Sequence, residues 1–508
     1  MQLVPRTLAD DRYGLRPHLN AAFGRLTNRR AQAGEAIPDP ISHRDLVGFW
    51  LTARERLLVA IDNGHYTPQQ VEIVDLPKDL LTVRPLARMN AIDRITYEAC
   101  VFALQPRIDD YIPRSVYSYR WSTKRSQLLS SVRSWVAMQR RGRTIARSSP
   151  HLMLAKTDIS SFYEHVDVRM LCEEVSELTG HASVMKVLRA FLDRFGEDNQ
   201  VWGLPQGSDA SGILANAYLL PVDRYLQNRG LNFLRYSDDL YIFGDNWNSL
   251  RRELIQITQI LRGRKLHLAG SKTRIVAPAE ALGQFEEAEK DAIKYGLHVG
   301  FSGTDEALSN LFHRATSDPR EVDDRDLRFC LNLFKQRADP LALTWLLHNF
   351  DAVPQAAREA VTYLGVFVDE DQRVLLLCQR LLEENRLADY PYAEMHVLRL
   401  LLSVDRGRTQ HLATIVWRIL EDRNRPGFVR EYAARFAGLN ARPGDAALLR
   451  TMLKSENDPK LRRALLVASY ESGGTTRSWL EHPSRNTQEL RMTSELLLRS
   501  PKLPITRE

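Results

Sequence analysis

The chain has 508 residues, a formal net charge of +7, 44% hydrophobic and 26% charged residues. That is ordinary globular composition over a length that suits roughly two to four domains, which excludes wholesale disorder. No apolar run of about 18 residues occurs, so no membrane-spanning helix is expected. The opening MQLVPRTLADDRYGLRPHLN lacks the apolar centre of a signal peptide, and a cytoplasmic location is the expectation. Cys100, Cys172, Cys330 and Cys378 are scattered without a CxxC spacing, as expected of reduced thiols rather than disulfides or a zinc knuckle.

In chain order, the first signal is charge. Residues 1–150 carry 23 Lys/Arg against 14 Asp/Glu, and no acid lies between Asp110 and Asp158. That gap holds Arg114, Arg120, Lys124, Arg125, Arg133, Arg140, Arg141, Arg143, Arg147 and Lys156, interleaved with Tyr117, Tyr119, Trp121 and Trp135. Cations for phosphates beside rings for bases suit a single-stranded nucleic-acid groove. A solvated basic helix face over core aromatics is the alternative. Arg120, Lys124, Arg125, Arg140, Arg141 and Arg143 are the candidate nucleic-acid contacts.

Short β-like runs follow. LMLAKTDIS (152–160) and LNFLRYSDDLYIFG (231–244) read as strands carrying carboxylates, and HLAGSKTRIV (267–276) as a turn and a strand. DVRMLCEEVSELTG and SGILANAYLLPVDRYLQNRG have helical apolar spacing. The mixture predicts an α+β or split βαβ core. In the second strand a tight turn at Ser237-Asp238-Asp239 would put two acids at the tip of an apolar hairpin. Asp158 emerges from equally apolar surroundings, where an uncompensated carboxylate is costly. Three carboxylates from two strands can hold two hard divalent ions, magnesium by default or manganese. Ions about 4 Å apart activate a 3′-hydroxyl and stabilise a leaving pyrophosphate. Gly203-Leu204-Pro205-Gln206-Gly207-Ser208 opens a helix with a turn that permits close backbone approach. Lys272 lies in a turn, and Arg84 and Arg94 stand upstream where a triphosphate would be gripped.

Taken in order, KTDISSFYEHVD, GLPQGS, YSDD and SKT resemble the motifs of reverse transcriptases of the bacterial, group II intron and retron-like class. RPLARMNAIDR resembles the fingers motif without its usual Ile-Pro, and YGLHVGFSG (295–303) falls where a primer-grip hairpin is expected. The resemblance spans about residues 80–305. It implies a right-hand polymerase with fingers and palm over 1–305. Asp158, Asp238 and Asp239 would be metal ligands, with the Ile159 carbonyl completing a site. Tyr163 would be the ring that excludes a 2′-hydroxyl, making the product DNA. Gln206 and Gly207 would meet the nucleotide and template, and Lys272 would protonate pyrophosphate.

Beyond residue 305, LALTWLLHNF, AAREAVTYLGVF, DQRVLLLCQRLLEEN, AEMHVLRLLLSV, LATIVWRILED, VREYAARFAGL, DAALLRTMLKS and LRRALLVASY are successive amphipathic segments. They recur roughly every 15–19 residues, with prolines in or near the breaks. An all-α HEAT-like repeat domain over 306–508 is the expectation, a non-repeating bundle the alternative. A polymerase core followed by such helices resembles the abortive-infection reverse transcriptases of the AbiK and AbiA type, within the defence-associated "unknown group". That likeness implies an antiphage enzyme acting on dNTPs and RNA or DNA. It also implies a homo-oligomer (trimer or hexamer), and synthesis that is protein-primed, untemplated or directed by a dedicated non-coding RNA. Tyr111, Tyr117 and Tyr119 are candidate priming hydroxyls. A conventional RNA-templated enzyme of a retron or group II intron-like element is the alternative, and a non-catalytic scaffold a third reading that the three retained acids oppose.

Overall fold

Four antiparallel strands carry the motif residues in the computed structural model. β1 (Met153–Thr157), β2 (Phe233–Tyr236), β3 (Asp239–Gly244) and β4 (Arg274–Val276) pair in the order β2-β3-β1-β4. Described are residues 11–28, 34–122, 124, 127–198, 203–285, 287–299, 301, 303–481, 488–500 and 503. The chain divides into two compact units. The first comprises Met1–Gly24, Arg54–Val74 and Pro85–Ala292; the second comprises Arg25–Ala53, Asp75–Arg84 and Ile293–Glu508. The sequence boundary near 305 lies close to the last of these breaks, but residues 25–53 and 75–84 join the second unit.

In the first unit, register and side-chain alternation give the sheet two different faces. Leu154 opposes Phe243 and Val276, and Leu234 opposes Tyr241. These residues form one buried cluster with Met138, Ile145 and Phe285. Met138 and Ile145 come from α2 (Ser131–Ser148), the helix that follows α1 (Ala91–Tyr111) in the chain. α2 has Ser130 as N-cap and a strongly one-sided apolar pattern, so it lays that side on the sheet and leaves its arginines outward. α1 packs against α3 (Val168–Thr179), α4 (Ala182–Asp198) and α5 (Asp209–Tyr218). α5 is capped by Ser208, the last residue of GLPQGS, and runs into α6 (Leu220–Asn228). α7 (Trp247–Gly263) packs on β1, β3 and β4.

The second unit is helical through α8 (Thr304–Ala315), α9 (Asp324–Arg337), α10 (Leu343–Asn349), α11 (Ala357–Phe367), α12 (Gln372–Glu383), α13 (Pro391–Leu402), α14 (Ala413–Glu421), α15 (Gly427–Leu439), α16 (Asp445–Ser455), α17 (Pro459–Glu471) and α18 (Gln488–Arg499). Pro391 and Pro459 sit in the first helical turn, where a missing N–H costs nothing. α9, α11, α13, α15, α17 and α18 pack each on the next. In α15 every residue from Phe428 to Gly438 is buried, whereas α12 and α14 bury one stripe. The segment around residues 38–45 is stitched to this unit: Tyr432 Oη donates to the Pro38 carbonyl at 3.0 Å, and Arg463 is ion-paired with both Asp39 and Asp45. Arg463 holds the Asp39 carboxyl well below the usual carboxylate range despite its burial.

One element differs from expectation. Where a primer-grip hairpin was expected at 295–303, the helix Ala288–Val299 continues through residue 299; residues 300 and 302 lie outside the described residues. The helix carries Glu289 and Asp291 in its first turn, where acids favour a helix N-terminus, and it tolerates Gly296 in its interior.

Candidate active site

The β2–β3 hairpin closes in two residues, because Tyr236 pairs directly with Asp239. Ser237 therefore takes a left-handed backbone, φ 56°, at a cost of about 1–3 kcal/mol for a non-glycine residue. The turn projects Asp238 beside Asp158, which follows β1. Asp158 is nearly buried, at 7% exposure, and its Oδ1 accepts from the Ile159 N–H at 3.0 Å. Residues 158–160 are themselves fixed by pairing with 267–269: the Ala269 N–H donates to the Asp158 carbonyl at 2.7 Å and the Ser160 N–H to the His267 carbonyl at 2.9 Å. The same pairing delivers Lys272, whose ammonium is bonded to Asp158 Oδ2. That bond raises the Lys272 pKa.

Burial, the charge of Asp158 and a hydrogen bond between the two carboxyls push Asp238 up to about 7, and Asp239 adds to the shift. Two acids forced together in this way form an all-oxygen donor pair with excess negative charge, which fits a hard divalent cation. Among the described residues no set of three or more His, Cys, Asp or Glu side chains is arranged as a metal cage.

Tyr163 stands at the same turn, its hydroxyl 3.3 Å from Ser237 Oγ. Burial raises its pKa, and it is hydrogen-bonded to Tyr119 as well. Tyr119 is half-buried beside the site, with its pKa raised chiefly by desolvation, whereas Tyr111 is 48% exposed. Gly203 (φ 89°) lies so close to the Tyr163 carbonyl that an added Cβ would sit 2.2 Å from it. Gly207 (φ 107°) would meet Leu86 at 2.4 Å. The glycines thus lock GLPQGS to the neighbouring backbone and side chains. The Gln206 carbonyl accepts from the Ala87 N–H at 2.9 Å, and its side chain donates to Glu164 at 3.3 Å.

Other candidate residues are placed differently. Arg94 donates to Glu98 at 3.2 Å, and Ser208 reaches the same Glu98 oxygen at 3.3 Å, so Arg94 stands near the GLPQGS turn. Arg84 is exposed and belongs to the second unit. Arg120 requires a correction: its guanidinium is spent internally, on Asp109 at 2.8 and 3.2 Å and on the carbonyls of Pro113 and Val116 at 2.8 and 2.9 Å. It buckles a loop and is not offered to a nucleic acid. Arg125 lies outside the described residues, and Lys124 is exposed. Arg140 and Arg141 are exposed on α2, and Arg143 and Arg140 line, with Thr144, Arg147 and Ser148, an open concavity of about 700 Å³.

Sequence reasoning missed the support under the turn. Arg235, Asp223, Asn216 and Ser118 are all buried and hydrogen-bonded to one another or to Ser237. The signal was an arginine in the apolar strand FLRY, which demands a buried partner.

An antiparallel sheet presenting two clustered carboxylates on a tight hairpin and a preceding strand, with a lysine and an aromatic ring beside them, defines a nucleotidyl-transfer palm. Residues 76–366 match the family described as reverse transcriptase (RNA-dependent DNA polymerase), and the chain belongs to it. It is 26% identical over 194 residues to Protein YkfC of Escherichia coli strain K12, a match covering 37% of this chain and 47% of that protein. The chain thus spans about half the length of that relative. Among solved structures, apo telomerase from Candida tropicalis aligns over 88% of this chain and 74% of its own at 12% identity with a TM-score of 0.33. A partial Cas6-RT-Cas1–Cas2 complex aligns over 52% and 44% at 18% identity with a TM-score of 0.28. Scores of that size carry no argument.

Proposed function

We propose that the chain is an RNA-directed DNA polymerase, extending a 3′-hydroxyl with dNTPs. The observation that carries this reading is the contact of Asp238 with Asp158 on a strained hairpin. Asp158 and Asp238, with Asp239 and the Ile159 carbonyl, would hold divalent cations, magnesium or manganese. When bound, such ions neutralise triphosphate charge and acidify the attacking hydroxyl. Lys272, whose ammonium is bonded to Asp158, would give its proton to the leaving pyrophosphate. Tyr163, fixed by Ser237 and Tyr119, supplies the ring that excludes a ribose 2′-hydroxyl. The backbone at Gln206 and Gly207 meets the incoming base pair, Arg94 serves the triphosphate, and the outward arginines of α2 hold a nucleic-acid backbone.

The biological role we assign is antiphage defence. Support comes from the helical unit after the palm, read as HEAT-like repeats, an architecture resembling the abortive-infection enzymes. On this reading the protein is a homo-oligomer that binds RNA, and the exposed Tyr111 is favoured as a priming hydroxyl over the half-buried Tyr117 and Tyr119. The test incubates protein from its native operon with magnesium and labelled dNTPs, without template or primer, and treats the products with protease and nuclease. Label released only by protease supports protein-primed synthesis. Products that require added RNA template and primer support the conventional copying enzyme of a retron or group II intron-like element instead.

A further inference from the structure

We propose that Arg235 and Asp223 are positioning residues that hold the Ser237–Asp238 turn in its reactive shape; this rests on the reading of Asp238 as a catalytic carboxylate. Arg235 lies in the middle of β2. Its neighbours Leu234 and Tyr236 pack towards α2, so Arg235 points to the opposite face, where α5 and α6 lie. There it is 1% exposed and Asp223 is 0% exposed.

An arginine so buried is costly unless its N–H groups are met, and each contact here has a purpose. Nε and Nη2 form a fork on Asp223 at 2.8 and 2.6 Å. Nη1 divides between Asn216 Oδ1 at 2.8 Å and the Ser237 carbonyl at 2.9 Å. Asn216 in turn donates to the Ser118 carbonyl at 2.8 Å, and Ser118 Oγ accepts from the Ser237 N–H at 2.8 Å. The ring Arg235–Asn216–Ser118–Ser237 is closed. It grips both backbone polar groups of the one residue in the turn with a left-handed backbone. Ser118 is carried there by the edge of β2, where the Arg235 N–H donates to the Ser115 carbonyl at 2.9 Å and the Tyr117 N–H to the Arg235 carbonyl at 3.0 Å.

A buried ion pair is a poor way to gain stability, since apolar residues of equal volume often do better. It is a good way to fix direction, because the fork on Asp223 sets the guanidinium plane and the remaining N–H then has one place to aim. Lysine at 235 keeps the charge but loses the fork. Ser118→Ala leaves the ion pair intact, frees the Ser237 N–H and removes the longer bond that Ser118 Oγ donates to Asn216 Oδ1 at 3.5 Å.

The test compares full-length wild type, Arg235→Lys, Ser118→Ala and Asp238→Asn on an RNA template with a DNA primer. It reads kcat, the KM for dNTP, thermal stability, and Mn²⁺ binding by electron paramagnetic resonance without nucleotide. The expectation for Arg235→Lys is a kcat about 100-fold lower, with dNTP KM changed by less than about 3-fold and Mn²⁺ affinity about 10-fold weaker. Ser118→Ala shifts the same quantities the same way by about 10-fold, with unchanged melting temperature; if Arg235→Lys does not fold, Ser118→Ala carries the test. Wild-type kcat and Mn²⁺ binding in Ser118→Ala, or losses that only track the folded fraction, overturn the positioning role. Undiminished synthesis by Asp238→Asn overturns the functional reading beneath it.

Discussion

Glu394, on the buried helix α13, offers a prediction that can be worked through quantitatively. Its side chain is 2% exposed and meets Arg425 at 3.4 Å, while Oε2 has no hydrogen-bond partner among the described residues. Burial outweighs the arginine and raises the carboxyl from 4.5 to about 7. A folded-state value above the unfolded one means that the contribution is intact below pH 4.5 and is lost as pH rises towards and through 7. The span corresponds to about 3 kcal/mol by pH 8 and less than about 1 kcal/mol at pH 5. Glu394→Gln keeps the shape and removes the charge, so it should stabilise α13 by up to about 3 kcal/mol at pH 8 and hardly at all at pH 5. His396 works in the opposite sense, its pKa lowered chiefly by burial, so mutant and wild type must be compared at each pH. Because a chain of two units need not unfold in one step, the assay is hydrogen exchange of α13 peptides, corrected for intrinsic rates. Equal protection of the two proteins at pH 8, or weaker protection in Glu394→Gln, would refute the reasoning by showing that the Arg425 pair outweighs desolvation.

Other outcomes follow from the site. Tyr163→Val should relax discrimination against ribonucleotides by roughly 10–100-fold, measured as the ratio of kcat/KM for dNTP and rNTP; an unchanged ratio removes the ring from sugar selection. Lys272→Ala should lower kcat about 100-fold with little change in dNTP KM, checked by single-turnover kinetics, and a purely KM effect contradicts the proton-donor role. Arg140→Gln, Arg143→Gln and Arg147→Gln together should weaken template binding evenly across sequences and shrink the slope of log affinity against log salt by about 1 per arginine. A salt slope equal to that of wild type means that α2 does not face the strand.

What sequence reveals here depends on how local the chemistry is. Asp158, Gly203–Ser208, Ser237–Asp239 and Lys272 sit in short contiguous motifs whose spacing is readable, and the hairpin and the preceding strand fall where the β-like runs and the Ser237-Asp238-Asp239 turn put them. The helices α10 to α17 match their apolar segments closely, because apolar residues at helical spacing mark a helix whether it buries one stripe, as α12 does, or nearly all of itself, as α15 does. Non-local partners were not legible. Arg120 looked like one cation in an acid-free stretch, yet its partner Asp109 lies just upstream of that stretch. Arg235 needed Asp223 on α6 and Ser118 from before α2, which no period or motif connects. Arg463 pairs with Asp39 and Asp45 from the opposite end of the chain, so the inclusion of residues 25–53 in the second unit had no sequence signature. The helix through residue 299 stands where motif order suggests a hairpin, and it includes Gly296 without breaking.

The central claim is that Asp158 and Asp238 together perform DNA synthesis. The most direct measurement is incorporation of labelled dNTP on an RNA template by wild type, Asp158→Asn and Asp238→Asn, with folding of each verified by circular dichroism. The account predicts synthesis by wild type and a loss on the order of 1,000-fold or more in each folded variant. Folded Asp238→Asn protein that still extends the primer at the wild-type rate would contradict it.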